Sequence, residues 1–362
     1  MNPQLAYLLA IHRGINITFP RFKELQKHFN NNWEAVFKSS FKEIESLNLD
    51  VHAKRKWHKL KDQNPEKEME KLLKSKAQAV IYGDPNYPTA LLTIPSPPVI
   101  LFYKGSSLHH NLNLAIVGSR KISLYSKNVI DQIIPPLIKE DIQIVSGLAL
   151  GVDKYAHQQA LKNKGKTLAV LGCGIDTIYP VAHTSLAKEI LESGGTIVSE
   201  FLPGTEARPE NFPIRNRIVS GLSKGVLVVQ ANQKSGSIIT AHQGLEQGKE
   251  IMTIPGSVFQ EGSAGCHNLI KKGEAALITN SEDIFNILNV IPNKKAINQN
   301  ILSKEEREIL KLFQNQQNLP LEEIIKRIQK PKNLIISTLM LLEMKNIIHL
   351  SQNHEYEVNP QR

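Results

Sequence analysis

Between Asn211 and Gln247 the chain reads NFPIRNRIVSGLSKGVLVVQANQKSGSIITAHQGLEQ, a stretch that sets fixed positive charge beside small residues. Its pattern predicts helix, strand, helix. Pro213 suits a first helical turn, where its missing N–H would be unpaired in any case, and Gly225 is placed to end that helix. Val226 to Gln230 form a short apolar strand. Ser235-Gly236-Ser237 then open a second helix, Ile238 to Gln247, closed by Gly248. At about 100° per residue, Ile214, Ile218, Val219 and Leu222 share one face of the first helix. Arg215 falls inside that apolar arc, Arg217 at its edge, and Asn216 points away. A buried guanidinium cannot stay unpaired, so Arg215 requires a carboxylate or an anionic ligand. The Ser-Gly-Ser turn lets a phosphate approach N–H groups at a helix N-terminus. The chemistry of this stretch is anion binding.

Upstream, apolar runs at Leu114–Val117, Ile142–Val145, Thr167–Leu171 and Thr196–Ser199 alternate with helical stretches, and the alternation continues through Val226–Val229 and Ile251–Ile254. This predicts an α/β fold with a doubly wound, mostly parallel sheet and helices on both faces. Small-residue turns follow several of the strands: Gly118-Ser119-Arg120, Ser146-Gly147 through Gly151, Gly172-Cys173-Gly174 and the Ser-Gly-Ser turn. Right-handed crossovers bring such turns to one edge of the sheet. Arg120 is then expected at the ligand edge. Phe212 either stacks on a base or staples the helix entrance. Asp153 and His157, four residues apart, lack a third metal ligand and are expected to orient a helix through a hydrogen bond. Asp176 is an isolated acid in a turn, and Ser235 and Ser237 have no base to activate them.

No stretch satisfies G-x-G-x-x-G or G-x-x-x-x-G-K-[ST]. No cofactor, metal or catalytic residue is expected, and an ATP-driven or dinucleotide enzyme is disfavoured. The 362 residues suggest two or three domains, and 44 Lys and Arg against 34 Asp and Glu give a net charge of +10, which favours a polyanionic partner. Two cysteines exclude a disulfide framework and fit a reducing cytoplasm. The N-terminus lacks a basic segment before its apolar run, and no apolar run approaches ~18 residues, so neither a signal peptide nor a membrane span is expected.

Residues 1–75 read as all-helical, and up to Tyr82 they hold 15 Lys and Arg against 9 Asp and Glu. The densest basic run is KRKWHKLK, Lys54 to Lys61. It is expected to be a solvated helix with one packed tryptophan, ahead of a nucleic-acid contact. Pro-rich punctuation near Pro95–Pro98 precedes a strand at Val99–Tyr103, and the α/β core extends over 76–292. A polar hinge follows, Pro292 to Asn300. The last segment, 300–362, reads as helices at Ser303–Phe313, Leu321–Ile328 and Lys332–Met344, a strand at Ile347–Leu350, a turn at Asn353 and a strand at Tyr356–Val358, with Ser303 and Glu306 as a capping box. Three helices and a hairpin suggest a winged helix. Its third helix, LIISTLMLLEMK, has few side chains for base edges, which favours a protein-contact or packing role.

The motifs LAIVGSR, VSGLALGVDKYAH, LAVLGCGIDTIYP, FPIRNRIVSGLS, SGSIITA and IPGSVFQEGSAGCHNLI occur in order. Over roughly residues 80 to 280 they resemble the DNA-processing protein A (DprA/Smf) family. The resemblance implies a Rossmann-like core flanked by an N-terminal helical, SAM-like domain and a C-terminal winged helix. It implies a recombination mediator without catalytic activity, one that binds and protects single-stranded DNA during natural transformation, helps load the RecA recombinase, and dimerises through the core. The family's basic pocket would fall on Arg120, within Gly118-Ser119-Arg120, and on Phe212, Arg215, Asn216 and Arg217 of FPIRNR. Ser235, Gly236, Ser237 and the Gly147 turn would supply backbone donors, and Arg208 would add charge. One departure is Gln230, where the family usually has a glutamate; that removes a natural partner for a buried arginine. Two other readings stay open: an enzyme or sensor acting on a nucleotide or phosphorylated small molecule, and a transcription regulator that reads DNA with its tail.

Overall fold

A computed structural model describes residues 3–292, 303–313, 318–344, 347–351 and 355–358. They fall into two compact units, divided between Ile291 and Pro292. Most of the expected hinge, and the expected turn at Asn353, lie outside the described residues.

The first unit is built on a nine-stranded sheet: β1 (Gln78–Ile81), β2 (Ile100–Gly105), β3 (Asn113–Gly118), β4 (Gln143–Ser146), β5 (Thr167–Val170), β6 (Thr196–Ser199), β7 (Gly225–Gln230), β8 (Glu250–Thr253) and β9 (Ala276–Leu277). Their spatial order is β1-β2-β6-β5-β4-β3-β7-β8-β9. From β6 to β9 every pairing is parallel, while β2 runs antiparallel to both β1 and β6. The parallel strands are contiguous apolar runs because both faces are covered. Leu114 and Ile116 of β3 pack with Ile130 and Ile134 of α8 (Leu124–Lys139) and with Val152 and Ala156 of α9 (Val152–Lys162). Ala115 and Val117 face the opposite side, toward Ile218 and Val219 of α11 (Asn211–Gly221) and Ala241 of α12 (Gly236–Glu246).

The N-terminal helices α1 (Pro3–Ile15), α2 (Phe19–Phe29), α3 (Trp33–Lys38), α4 (Phe41–Glu45), α5 (Val51–Lys56) and α6 (Pro65–Ser75) belong to the same unit. Leu8, Phe22 and Trp33 share one apolar cluster with Phe102, Ala169 and Ile197 of the sheet. Arg13 also donates to the carbonyl of Pro203 at 2.6 Å, so the expected border at residue 75 is crossed by a continuous core. Trp57 is packed, as expected for the basic run.

Between β1 and β2 lies the short helix α7 (Thr89–Leu92), and α10 (Thr184–Glu192), α13 (Ala264–Lys271) and α14 (Ser281–Ile287) complete the unit. Two expectations for α11 change. The helix ends at Gly221, with Gly225 as the first residue of β7, and Ile214 is exposed and not part of the apolar face.

The second unit has α15 (Lys304–Leu312), β10 (Asn318–Pro320), α16 (Leu321–Ile328), α17 (Lys332–Met344), β11 (Ile348–Leu350) and β12 (Glu355–Val358). The three strands form an antiparallel sheet in the order β10-β12-β11. Ser303 and Glu306 make both bonds of a capping box. Among the described residues, no helix is long and apolar enough to cross a membrane.

Candidate nucleic-acid interface

The chain leaves β3 toward β4, β5 and β6, and leaves β7 in the other direction, toward β8 and β9. Where two neighbouring parallel strands send their connections apart, a crevice opens beyond their carboxyl ends. A cavity of about 550 Å³ lies there, lined by the loops after β3, β4, β5 and β7 and by the first turns of α11 and α12.

Its floor is set by Arg215, only 4% exposed. The guanidinium donates Nη1 to the carbonyls of Gly147 and Val170, and Nε to Oδ1 of Asn216 at 3.2 Å. Glycine at position 147 leaves room for this head group, because a Cβ there would run into the guanidinium. Among the charges acting on Arg215, the first is Asp153, 6% exposed, which accepts the N–H groups of Gly147 at 3.0 Å and Ala149 at 3.4 Å. Burial pushes the Asp153 carboxyl up, while Arg215 and the two N–H groups oppose that shift. Burial likewise works to lower the Arg215 value, and Asp153 opposes it. Asp153, on α9, thus supplies the opposing charge that a glutamate at position 230 would have brought, while the guanidinium itself bonds carbonyl and amide oxygens. Gln230 itself accepts from Ser123 N at 3.0 Å and from Ser126 Oγ at 2.8 Å, which ties β7 to the start of α8.

Asp153 and His157 do not bond each other, contrary to expectation. His157 is buried against Thr167, with Nδ1 at 2.6 Å from Oγ1. Asp176 accepts the N–H of Gly204 at 2.9 Å, fastening a turn.

Above the floor, the Phe212 ring lies 5.9 Å from the guanidinium carbons of both Arg120 and Arg215. Tyr179 packs beside it, ring centroids 5.6 Å apart. Gly172 leaves room for Phe212, since a Cβ there would meet the ring at 2.8 Å. Arg120, Lys121 and Lys234 stand exposed at the mouth, and none has an ion-pair partner among the described residues. The N-terminus of α12 opens into the same space. Ser235 caps it, its Oγ lying 2.8 Å from Ser237 Oγ. A Cβ on Gly236 would meet nothing within 4 Å, so its backbone faces open volume. Asn216 braces this end, donating Nδ2 to the Gly236 carbonyl at 3.3 Å.

Of the residues singled out in the sequence, Gly118, Ser119, Arg120, Gly147, Phe212, Arg215, Asn216, Ser235, Gly236 and Ser237 line this one cavity. Arg217 and Arg208 do not. Arg217 projects from the other side of α11 and is held by Glu200 at 2.5 Å, beside a separate cavity of about 460 Å³ that also contains Ile214 and Gln243. Arg208 is exposed next to Glu206 at 3.5 Å, in a third depression. Four backbone donors are also spoken for: Gly147 N–H by Asp153, Ser119 N–H by the Gln230 carbonyl at 2.7 Å, Ser235 N–H by the Asn232 carbonyl at 3.2 Å and Ser237 N–H by Ser235 Oγ at 3.4 Å.

Sequence reasoning passed over Lys121, Lys234 and Tyr179. The two lysines adjoin the Gly-Ser-Arg and Ser-Gly-Ser turns, so extending each motif by one residue finds them. Tyr179 ends a long loop after β5, and nothing in its spacing ties it to Phe212. Asp153 is the one carboxylate lining the cavity among the described residues, and no group of three or more His, Cys, Asp or Glu among those residues is arranged to hold a metal ion.

The sequence profile of the DNA recombination-mediator protein A family matches residues 78–289. The Smf protein of Escherichia coli is 47% identical over 201 residues, which is 55% of this chain and 53% of that protein, so the match spans about half the relative's length. The crystal structure of DNA processing protein A from Streptococcus pneumoniae superposes with a TM-score of 0.66 at 32% identity, covering 78% of this chain and 97% of that one. A structure of DNA processing protein A from Helicobacter pylori, described for its single-stranded DNA binding mode, gives a TM-score of 0.54 at 32% identity, covering 59% and 96%.

Proposed function

Because this chain belongs to the DNA recombination-mediator protein A family, we propose that its sheet-edge cavity binds single-stranded DNA. One observation carries the reading. Three unpaired cations (Arg120, Lys121 and Lys234), the Phe212–Tyr179 ring pair and the open N-terminus of α12 converge on a single cavity at the crevice between β3 and β7. A phosphate oxygen accepts the Gly236 N–H and is held by the helix N-terminus and the lysines. A base stacks at the rings, for about 1–3 kcal/mol. Arg215 and Asp153 act beneath the strand, fixing the loop after β4 and the level of Phe212, and do not themselves hold phosphate.

On this reading the site binds and does no chemistry. Among the described residues its one carboxylate accepts two N–H groups and lies in the field of Arg215, with no second carboxylate and no histidine lining the cavity beside it. Family membership supports the further roles of protecting incoming DNA and helping to load RecA, with two copies joined through the sheet core spanning a longer strand by effective concentration. The order helix, strand, helix, helix, strand, strand in the second unit supports the winged-helix reading. Its α17 exposes Leu334, Met340 and Leu341, a surface for protein rather than for base edges.

The test is fluorescence anisotropy with a labelled dT oligonucleotide, its duplex and a mononucleotide, at two salt concentrations. Preference for the oligonucleotide, lost on raising salt and on Arg120→Ala or Lys234→Ala, is expected. Tight mononucleotide binding with negligible oligonucleotide binding would overturn the reading in favour of a nucleotide sensor.

A further inference from the structure

The basic run Lys54 to Lys61 takes no part in the cavity at the sheet edge. It finishes α5 and continues as one 3-10 turn, Trp57–Leu60. Trp57 and Leu60 turn inward, 4% and 2% exposed, so the indole offers no face on which a base can stack. Between this turn and the corner joining α3 to α4 lies a hollow of about 620 Å³. Phe37, Trp57 and Leu60 form its apolar floor, and Phe41 and Val51 stand at its rim, 52% and 63% exposed. Large apolar side chains left uncovered around a concavity mark a contact surface.

The rim is of nearly one sign. Lys38, Lys54, Arg55 and Lys61 line it against the single acid Glu45. Lys38 is occupied by Glu34 at 2.5 Å, and Lys54 donates to the Glu45 carbonyl at 2.9 Å. Arg55 and Lys61 pair with no acid among the described residues, and both are exposed. Two free cations are too few to follow a strand that brings one phosphate with every nucleotide. They suit two spaced carboxylates. The apolar floor between them takes branched or aromatic side chains, whereas a sugar-phosphate backbone would leave it unfilled.

From this complementarity we propose that the hollow docks an acidic peptide segment of a protein partner, one in which Asp or Glu flanks bulky apolar side chains. The apolar side chains enter between Phe41 and Val51, and the carboxylates meet Arg55 and Lys61. Burial of the anchors supplies the affinity, and the charges select the partner. The surface is separate from the DNA cavity, so the chain can hold both ligands together.

The full chain is titrated with a short fluorescein-labelled peptide of alternating Asp and Leu or Phe, reading anisotropy. Saturable binding is expected, weakened about tenfold by Arg55→Glu and by Phe41→Ser, and weakened likewise when the peptide's Asp is replaced by Asn. Both substituted side chains are exposed, and circular dichroism confirms that the variants fold. Binding of the dT oligonucleotide is expected to be the same in both variants as in the parent. Absence of saturable peptide binding, or affinity indifferent to Phe41→Ser, overturns the proposal. So does a loss of oligonucleotide affinity in these variants, which assigns the hollow to nucleic acid.

Discussion

Replacing Arg120 with alanine removes a guanidinium that ends in solvent at the cavity mouth, so its effect falls on ligand and not on fold. Arg217→Ala acts the other way. It leaves the largely buried Glu200 without its cation, where burial already pushes the carboxyl up. The expected loss is about 3 kcal/mol of stability, with single-strand affinity per folded molecule retained. Thermal denaturation and anisotropy on the two variants separate the roles, and a reversed pattern would place Arg217 on the DNA. Arg215 is a poorer probe, because removing it frees the carbonyls of Gly147 and Val170 and disturbs fold and site together. His157 gives a pH prediction. Its Nδ1 meets Thr167 Oγ1, whose own hydrogen goes to the Ile144 carbonyl, so Nδ1 carries a proton and donates it. Burial pulls its pKa down to about 3. The unfolded chain therefore binds the extra proton first as pH falls below the ordinary histidine range. Stability is complete at neutral pH and declines from about pH 6.5 toward 3, by at most about 1.4 kcal/mol per pH unit from this residue. Urea unfolding across that range, with His157→Gln flattening the slope, checks it.

The N-terminus of α12 is the element on which phosphate binding turns. Gly236→Ala puts a methyl group where nothing stands within 4 Å. The free protein is expected to be unharmed or stabilised by about 0.5 kcal/mol, since alanine narrows the unfolded ensemble. Oligonucleotide affinity should fall, because the methyl occupies the phosphate's approach to the N–H. Unchanged affinity would remove the anion from this helix end. The turns that build the site were legible because strands β3 to β8, enclosed on both faces, are contiguous apolar runs, and small residues follow them at once. Edge strands carry no such mark. β1 has one buried residue, Val80, among its four, and both residues of β9 are exposed. β10 has one buried residue and ends in proline. The faces of α11 were misjudged for a related reason. It packs against the sheet with Asn211, Arg215, Ile218 and Val219, so its buried side is partly polar and its apolar Ile214 is left outside. The carboxylates whose charge acts on its arginines, Asp153 and Glu200, come from α9 and from the loop after β6. Periodicity within one helix cannot disclose a carboxylate brought in by another crossover.

At the scale of the whole chain, the two units carry separate apolar clusters. Leu8 through Leu288 serve the first and Ile309 through Ile348 the second. A chain ending at Ile291 is therefore expected to unfold as cooperatively as the first unit does in the full protein, and to keep its single-strand affinity within about twofold, a change of about 0.4 kcal/mol. A tenfold loss would move DNA recognition to the second unit and favour a regulator that reads DNA with its tail. Salt dependence refines the same experiment. Of the net charge of +10, six lie before residue 83, and among the described residues the sheet-edge cavity contributes three unpaired cations, Arg120, Lys121 and Lys234. At about 0.7 counterions released per phosphate on a single strand, log K against log salt should fall with a slope near −2 per cavity. The truncated chain should keep that slope, and Lys234→Ala should make it shallower by about 0.7. A much steeper slope that survives all three alanine substitutions would place the strand on the diffuse basic surface of the N-terminal helices, with the cavity left to a smaller ligand.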